Sequence, residues 1–301
     1  MSPRALPAHP EPPASDAQAE RPWEYSAFPV TVARARAVSP AWMRITVTGE
    51  ALQHFAPWGL DQRIKLVLPL PGGGLADFGL LEEPTPHPSH WYTRWKQLPE
   101  GDRNVLRTYT PAAIRPQARE LDIDVLLHDP PGPASRWARS ARPGDDLVIT
   151  GPDARAGWTG YGLHWKPERP VERALLIGDE TAFPAIRGIL ASLPRGARAD
   201  VLLELADPRD DLVSPTAPAG ARVLRGLRAG AVPGRRLEEL VHGWTAEHGD
   251  GTAQDPGLSV WIAGETGAVA RIRAHLTQDA GIPKAQVAFL GYWRIGGSLV
   301  G

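Results

Sequence analysis

Arg107-Thr108-Tyr109-Thr110 sets a guanidinium two places before a phenol, then a hydroxyl, then Pro111. On an extended strand, residues two apart project to the same face, so Arg107 and Tyr109 can meet one ligand together. Such a ligand carries negative charge and a flat surface. Further along, His128 precedes the turn Gly132-Pro133-Ala134-Ser135, which opens the helical pattern SRWARSA, with Trp137 inside it. Backbone N–H groups at a helix start converge on a phosphate, and small residues let it approach. The same residues also describe an ordinary capped helix.

The second half carries GDETAFPAI, residues 178 to 186, where an apolar run meets a helical pattern. Gly178 permits close backbone approach and Thr181 can cap the helix; Asp179, Glu180 and Ala182 complete the turn. This is not a G-x-G-x-x-G fingerprint, so nicotinamide binding has only partial support from pattern. Ala263-Gly264-Glu265 ends another apolar run, and GYWRIG (291–296) ends a third with Tyr292, Trp293 and Arg294. His87 and His90 lie close together, but two histidines without cysteine fall short of a metal site, and none is expected.

The whole chain narrows the chemistry. It has 301 residues, 42% hydrophobic content and no cysteine, which removes disulfides, thiol catalysis, and Cys-ligated zinc and iron–sulfur centres. Redox chemistry here needs a bound cofactor. Its 33 basic residues nearly cancel 34 acidic ones, so nothing draws the chain broadly to nucleic acid or anionic membrane. No apolar run reaches the roughly 20 residues that span a bilayer. The opening residues are rich in Pro and small or charged side chains and lack a signal-peptide core, so residues 1–26 are expected to be a disordered tail on a cytoplasmic protein.

The elements that must position these residues fall into two halves. Residues 27–152 contain strand patterns at 42–49, 64–70, 121–128 and 146–152, punctuated by Gly and Pro, which predicts an antiparallel β-barrel. In WMRITVTG, Met43, Ile45 and Val47 form one face, and Arg44, Thr46 and Thr48 a face expected to be wet. Residues 75–104, with Trp91, Tyr92 and Trp95, read either as a functional loop or as a packed surface excursion. After a linker at 153–169, strands at 173–180, 199–207, 222–227, 258–265 and 286–293 alternate with helices at 181–193, 235–244 and 267–281. That alternation predicts an α/β doubly wound parallel sheet over 170–301, with ligands at its carboxyl edge.

Taken together, RTYTP, LDIDVLLH, GPASRWA, PGD, GDETAFPAI, AGE and GYWRIG resemble the ferredoxin-reductase-like flavoenzymes. More narrowly, they resemble the siderophore-interacting protein family of FAD-dependent ferric-siderophore reductases, from about Phe28 to Gly296. The resemblance implies a FAD-binding barrel followed by an NAD(P)H-binding domain. It assigns Arg107 to the FAD pyrophosphate, Tyr109 to packing on the isoalloxazine and Thr110, next to Thr108, to the flavin's polar edge. His128, Gly132, Pro133, Ala134 and Ser135, with Trp137 behind them, would hold the rest of the dinucleotide. Gly178 to Ala182 and Ala263 to Glu265 would border NADPH or NADH. Asp207 could receive an unphosphorylated ribose and Arg209 a 2′-phosphate, so the choice stays open.

Arg63 and Lys65, sharing a strand face, would join Arg294 in a basic wall for an anionic ferric siderophore beside Tyr292 and Trp293. The chain departs from the family in lacking an arginine two residues after the Tyr-Thr pair; the first is Arg115. A monomer is expected. Ferredoxin as electron donor, a different electron acceptor, and a non-catalytic siderophore-binding role remain the alternatives.

Overall fold

The computed structural model describes residues 24–249, 251 and 255–297. The expected tail lies outside them through residue 23, but Tyr25 and Ser26 belong to the first strand. Seven antiparallel strands make the first layer: β1 (Tyr25–Ser39), β2 (Trp42–Thr48), β3 (Ile64–Val67), β4 (Leu106–Tyr109), β5 (Pro111–Arg115), β6 (Glu120–Leu126) and β7 (Asp146–Pro152). Their order is β4-β3-β7-β1-β2-β6-β5. The two edge strands, β4 and β5, are therefore consecutive in the chain and separated only by Thr110. The sheet curls into a half-barrel whose open seam lies at the Arg-Thr-Tyr-Thr segment, leaving edge N–H and C=O groups there for other partners.

Inside the curl, Phe28, Ile45, Val47, Leu66, Ile123 and Ile149 form the core. The face of β2 expected to be wet is instead braced by charge. Arg44 donates to both oxygens of Asp124 at 2.6 and 2.7 Å, Thr46 donates to Asp122, and Arg187 from the second domain reaches Asp124 at 3.5 Å. Period-2 alternation marks polarity but does not distinguish water from a neighbouring domain.

Residues 75–104 fold around α1 (Pro88–Gln97), and the packed alternative describes them. Trp91 and Trp95 are buried with Phe78, Leu80 and Leu106; Trp91 Nε1 donates to Tyr25 Oη at 2.6 Å and Trp95 Nε1 to the Asn104 carbonyl at 2.8 Å. His87 is the N-cap of that helix, and no group of three or more metal-ligating side chains occurs among the described residues.

The second sheet comprises β8 (Arg173–Asp179), β9 (Arg198–Leu205), β10 (Ala221–Leu227), β11 (Leu258–Glu265) and β12 (Val287–Trp293), all parallel, in the order β10-β9-β8-β11-β12. β8 is apolar almost throughout because both its faces are covered. Ala174 and Leu176 pack on α3 (Phe183–Ser192), while Leu175 and Ile177 pack on α4 (Arg235–His248) and α5 (Thr266–Ala274). The helix expected over 267–281 ends earlier as regular α-helix and continues as a π-turn at His275–Asp279.

Three contacts lock the two halves together. Asp61, 1% exposed, accepts from His164 N, Trp165 N and, at 2.9 Å, Trp261 Nε1. Asp210 accepts from Ser39 Oγ and Ala41 N. Helix α3 presses on the turn before β3 so closely that a side chain at Gly188 would collide with the Leu60 carbonyl. The segment 153–169 is therefore packed, with Asp153 and Trp165 buried. Asp61→Ala leaves three buried N–H donors without an acceptor, at about 1–3 kcal/mol each. We expect a loss of about 3–5 kcal/mol in urea unfolding; a loss below about 1 kcal/mol would show that the junction is held elsewhere.

Candidate functional site

The seam between β4 and β5 opens into a cavity of about 480 Å³ that both halves line, within the range small-molecule sites occupy. The strand register puts Tyr109 opposite Ile64, Thr108 opposite Lys65 and Arg107 opposite Leu66. Because β4 is an edge strand, the cavity collects all four residues from Arg107 to Thr110.

Helix α2 (Pro133–Ser140) starts at the same cavity. Its N-cap, Gly132, supplies no side-chain cap, and a side chain added there would meet nothing within 4 Å. Pro133 has no N–H, so the free donors of this helix start are the Ala134 and Ser135 amides, beside the open space at Gly132 that an anion cradle requires. Ser135 does not contribute its hydroxyl: Oγ accepts from His128 N and donates to the Leu126 carbonyl, both at 3.1 Å, tying the helix to β6. His128 stands exposed at the rim. Trp137 packs against the barrel core behind the turn, outside the cavity lining, its Nε1 buried without a partner.

Cations predominate in the cavity. Arg63, Lys65 and Arg107 line it with no carboxylate partner among the described residues, while the lining carboxylate, Asp124, is held by Arg44 and Arg187. Burial pushes both Lys65 and Arg107 below their ordinary pKa values, and the neighbouring Arg63 charge lowers Lys65 further. Burial raises the Tyr109 phenol, so it stays protonated. An anion placed here stabilises charges that burial disfavours.

A second cavity of about 420 Å³ shares Arg63, Lys65 and Thr108 with the first. It adds Lys166, His164 and Tyr161 from the segment after the barrel; Tyr161 stacks on Tyr25 at 5.4 Å. Arg63 Nη1 donates to His164 Nε2 at 3.3 Å. These residues lie in the expected linker at 153–169, where the basic and aromatic crowding of YGLHWK is the signal for a site.

Other expected residues are placed differently. Tyr292 and Trp293 line the first cavity, but Arg294 is exposed and outside its lining, so the basic wall consists of Arg63 and Lys65 without it. Arg115 donates to both oxygens of Asp122, at 2.7 and 2.8 Å, which turns it away from the cavity. Gly178, Asp179, Glu180, Gly264 and Glu265 gather at the carboxyl edge of the second sheet with their polar groups engaged internally. Asp179 accepts from Thr181, Glu265 and Trp293, Glu180 pairs with Arg228, and Arg209 pairs with Asp207. Of the β8–α3 turn, the cavity touches Thr181 and Pro184.

Residues 31–156 match the family Siderophore-interacting FAD-binding domain, and residues 171–296 match the family Siderophore-interacting protein. The chain belongs to the siderophore-interacting protein family. It is 33% identical over 224 residues to the mycobactin import ATP-binding/permease protein IrtA of Mycolicibacterium smegmatis, a match covering 72% of this chain and only 23% of that longer protein. It is 28% identical to the ferric vibriobactin reductase ViuB of Vibrio cholerae, over 87% of this chain and 88% of ViuB. Among solved structures, SipS of Aeromonas hydrophila, a siderophore-interacting protein, superimposes with a TM-score of 0.68 at 29% identity, covering 91% and 93% of the two chains. The fold is ferredoxin-reductase-like: an antiparallel half-barrel followed by a parallel sheet.

Burial holds the His164 imidazole below its ordinary value of 6.5; the nearby Asp61 carboxylate opposes this, while Arg63 and Lys166 add to it. The unfolded chain therefore binds a proton at His164 that the folded chain refuses. The stability concerned is fully present above 6.5 and is lost as pH falls through the window below it. His164→Gln should flatten the decline in urea-unfolding free energy between pH 7.5 and 5.5 by up to about 1 kcal/mol. An unchanged slope would remove His164 from the pH response.

Proposed function

We propose that this protein is a FAD-containing, NAD(P)H-dependent oxidoreductase that reduces ferric siderophores and releases iron as Fe(II). The observation that carries the reading is the seam cavity, where an uncapped helix start and three cations without carboxylate partners among the described residues stand beside Tyr109. The family's FAD-binding domain covers this region, and the residues present suit that cofactor. The Ala134 and Ser135 amides at the open start of α2 and the Arg107 guanidinium match a pyrophosphate, while Tyr109 and Thr110 offer a flat face and a polar group for a flavin. His128 stands at the rim beside the Gly132 to Ser135 turn.

A bound flavin supplies the exchange between a two-electron hydride donor and a one-electron ferric acceptor. The chain itself positions and screens. Arg63 and Lys65, which line both cavities, draw the anionic chelate toward the flavin edge, with Lys166 in the second cavity adding charge. No side-chain acid or base is needed: bringing donor, flavin and chelate into contact lowers the barrier. Release follows because hard oxygen ligands hold Fe(II) less tightly than Fe(III). The names of ViuB and IrtA, which concern ferric vibriobactin reduction and mycobactin import, favour a siderophore over another acceptor.

The test is an anaerobic absorbance scan of FAD-loaded protein, before and after adding NADH or NADPH and then a ferric siderophore with a ferrous trap. The flavin band should bleach, then recover as trapped Fe(II) accumulates. Bleaching without recovery would assign a different acceptor, and failure to take up FAD would overturn the reading. Gly132→Asp separates the cradle from the fold. The new carboxylate caps α2 and should leave the melting temperature of the apoprotein unchanged or slightly raised, yet weaken FAD retention by about tenfold or more. Unaltered FAD affinity in that variant would move the pyrophosphate elsewhere.

A further inference from the structure

A doubly wound sheet usually offers a dinucleotide its helix N-termini and glycine turns at the carboxyl edge. Here those positions are filled from within the chain. At the β8–α3 turn, Asp179 Oδ1 accepts from Thr181 N at 2.9 Å and Thr181 Oγ1 at 2.5 Å, and Oδ2 accepts from Glu265 N at 3.0 Å and Trp293 Nε1 at 2.8 Å. Around the start of α4, Glu204 accepts from Gly234 N at 2.8 Å and Leu237 N at 3.1 Å; at the start of α5, Glu265 Oε2 accepts from Ala268 N at 2.8 Å. All three carboxylates are buried.

The glycines give no opening either. A side chain at Gly178 would strike Ala182 Cβ, one at Gly264 would meet Asp179 Oδ2 at 2.6 Å, and one at Gly291 would meet Thr266 Oγ1 at 2.5 Å. The arginines of this region are engaged: Arg228 with Glu180 and Glu204, Arg225 with Asp211, and Arg271 with Glu238. Asp207 and Arg209, the residues suited to a ribose hydroxyl and a 2′-phosphate, bind each other at 2.5 Å. Arg294, exposed just past β12, is not itself a lining residue; its guanidinium lies against Gly297 at the cavity edge. Across the cleft the pattern reverses, with Gly132 open and three cations free of carboxylates among the described residues.

We infer that the hydride donor is held by its nicotinamide half alone, against Thr110, Thr181, Pro184 and Trp293, while its adenylate half stays in solvent unread. This rests on the reading of the chain as an NAD(P)H-dependent flavoprotein. The donor's C4–H bond breaks with its electron pair and an N–H bond forms at flavin N5; the donor leaves as the oxidised nicotinamide. Because the adenylate half contributes no binding energy, NADH, NADPH and reduced nicotinamide mononucleotide serve comparably.

Calorimetric titration of the FAD-loaded protein with ADP-ribose and with 2′-phospho-ADP-ribose reads the adenylate half without turnover. The expected result is no Kd tighter than about 0.1 mM for either; a tighter one overturns the inference. Anaerobic stopped-flow bleaching by the three dihydronicotinamides should give second-order rate constants within about thirtyfold of one another. A larger advantage of either dinucleotide over the mononucleotide overturns the inference and leaves the flavoenzyme reading standing. If none of the three bleaches a flavin that dithionite reduces, the nicotinamide reading fails, and the inference with it.

Discussion

A single buried carboxylate sets the geometry on which the site depends. Asp61 lies just before β3, yet its oxygens receive the backbone of His164 and Trp165 and the indole of Trp261 on β11. A carboxylate taken out of water is costly unless several donors replace its hydration, and these three come from two segments, both far from Asp61 in the chain. Satisfying Asp61 therefore fixes the half-barrel against the parallel sheet. The seam cavity, lined by residues of both, exists because that angle is fixed.

Within this frame, charge is distributed asymmetrically. In the second sheet, acids and arginines satisfy one another: Glu180 and Glu204 share Arg228, and Asp207 holds Arg209. On the barrel side, Arg63, Lys65 and Arg107 have no carboxylate among the described residues, and burial already lowers the pKa values of Lys65 and Arg107. Unpaired, partly buried cations are a standing cost to the fold. An anionic ligand at the seam would remove that cost.

The aromatic segment around α1 illustrates how packing and function share residues. Trp91 is 2% exposed and belongs to the core under the barrel, with its indole satisfied by Tyr25. The same Tyr25 carries Tyr161 on its face, and all three border the second cavity. A rigid aromatic wall follows from core packing, with no separate device required to build it.

Local chemistry made much of this legible in the sequence. Strand and helix periods gave most of the order of elements, though not β1, β5 or α1; the absence of cysteine required a bound cofactor for redox work, and the spacing in Arg107-Thr108-Tyr109-Thr110 placed a cation and a ring together. The small residues before α2 likewise marked its start as approachable. What tertiary structure alone decided was which polar groups remain unpaired. Asp179, Glu265 and Arg115 look like Arg107 in sequence, as polar residues at element ends, but the first three are consumed by partners and Arg107 has no carboxylate among the described residues. Partnership depends on which distant segments meet at the junction around Asp61, and neither residue type nor spacing encodes that meeting locally.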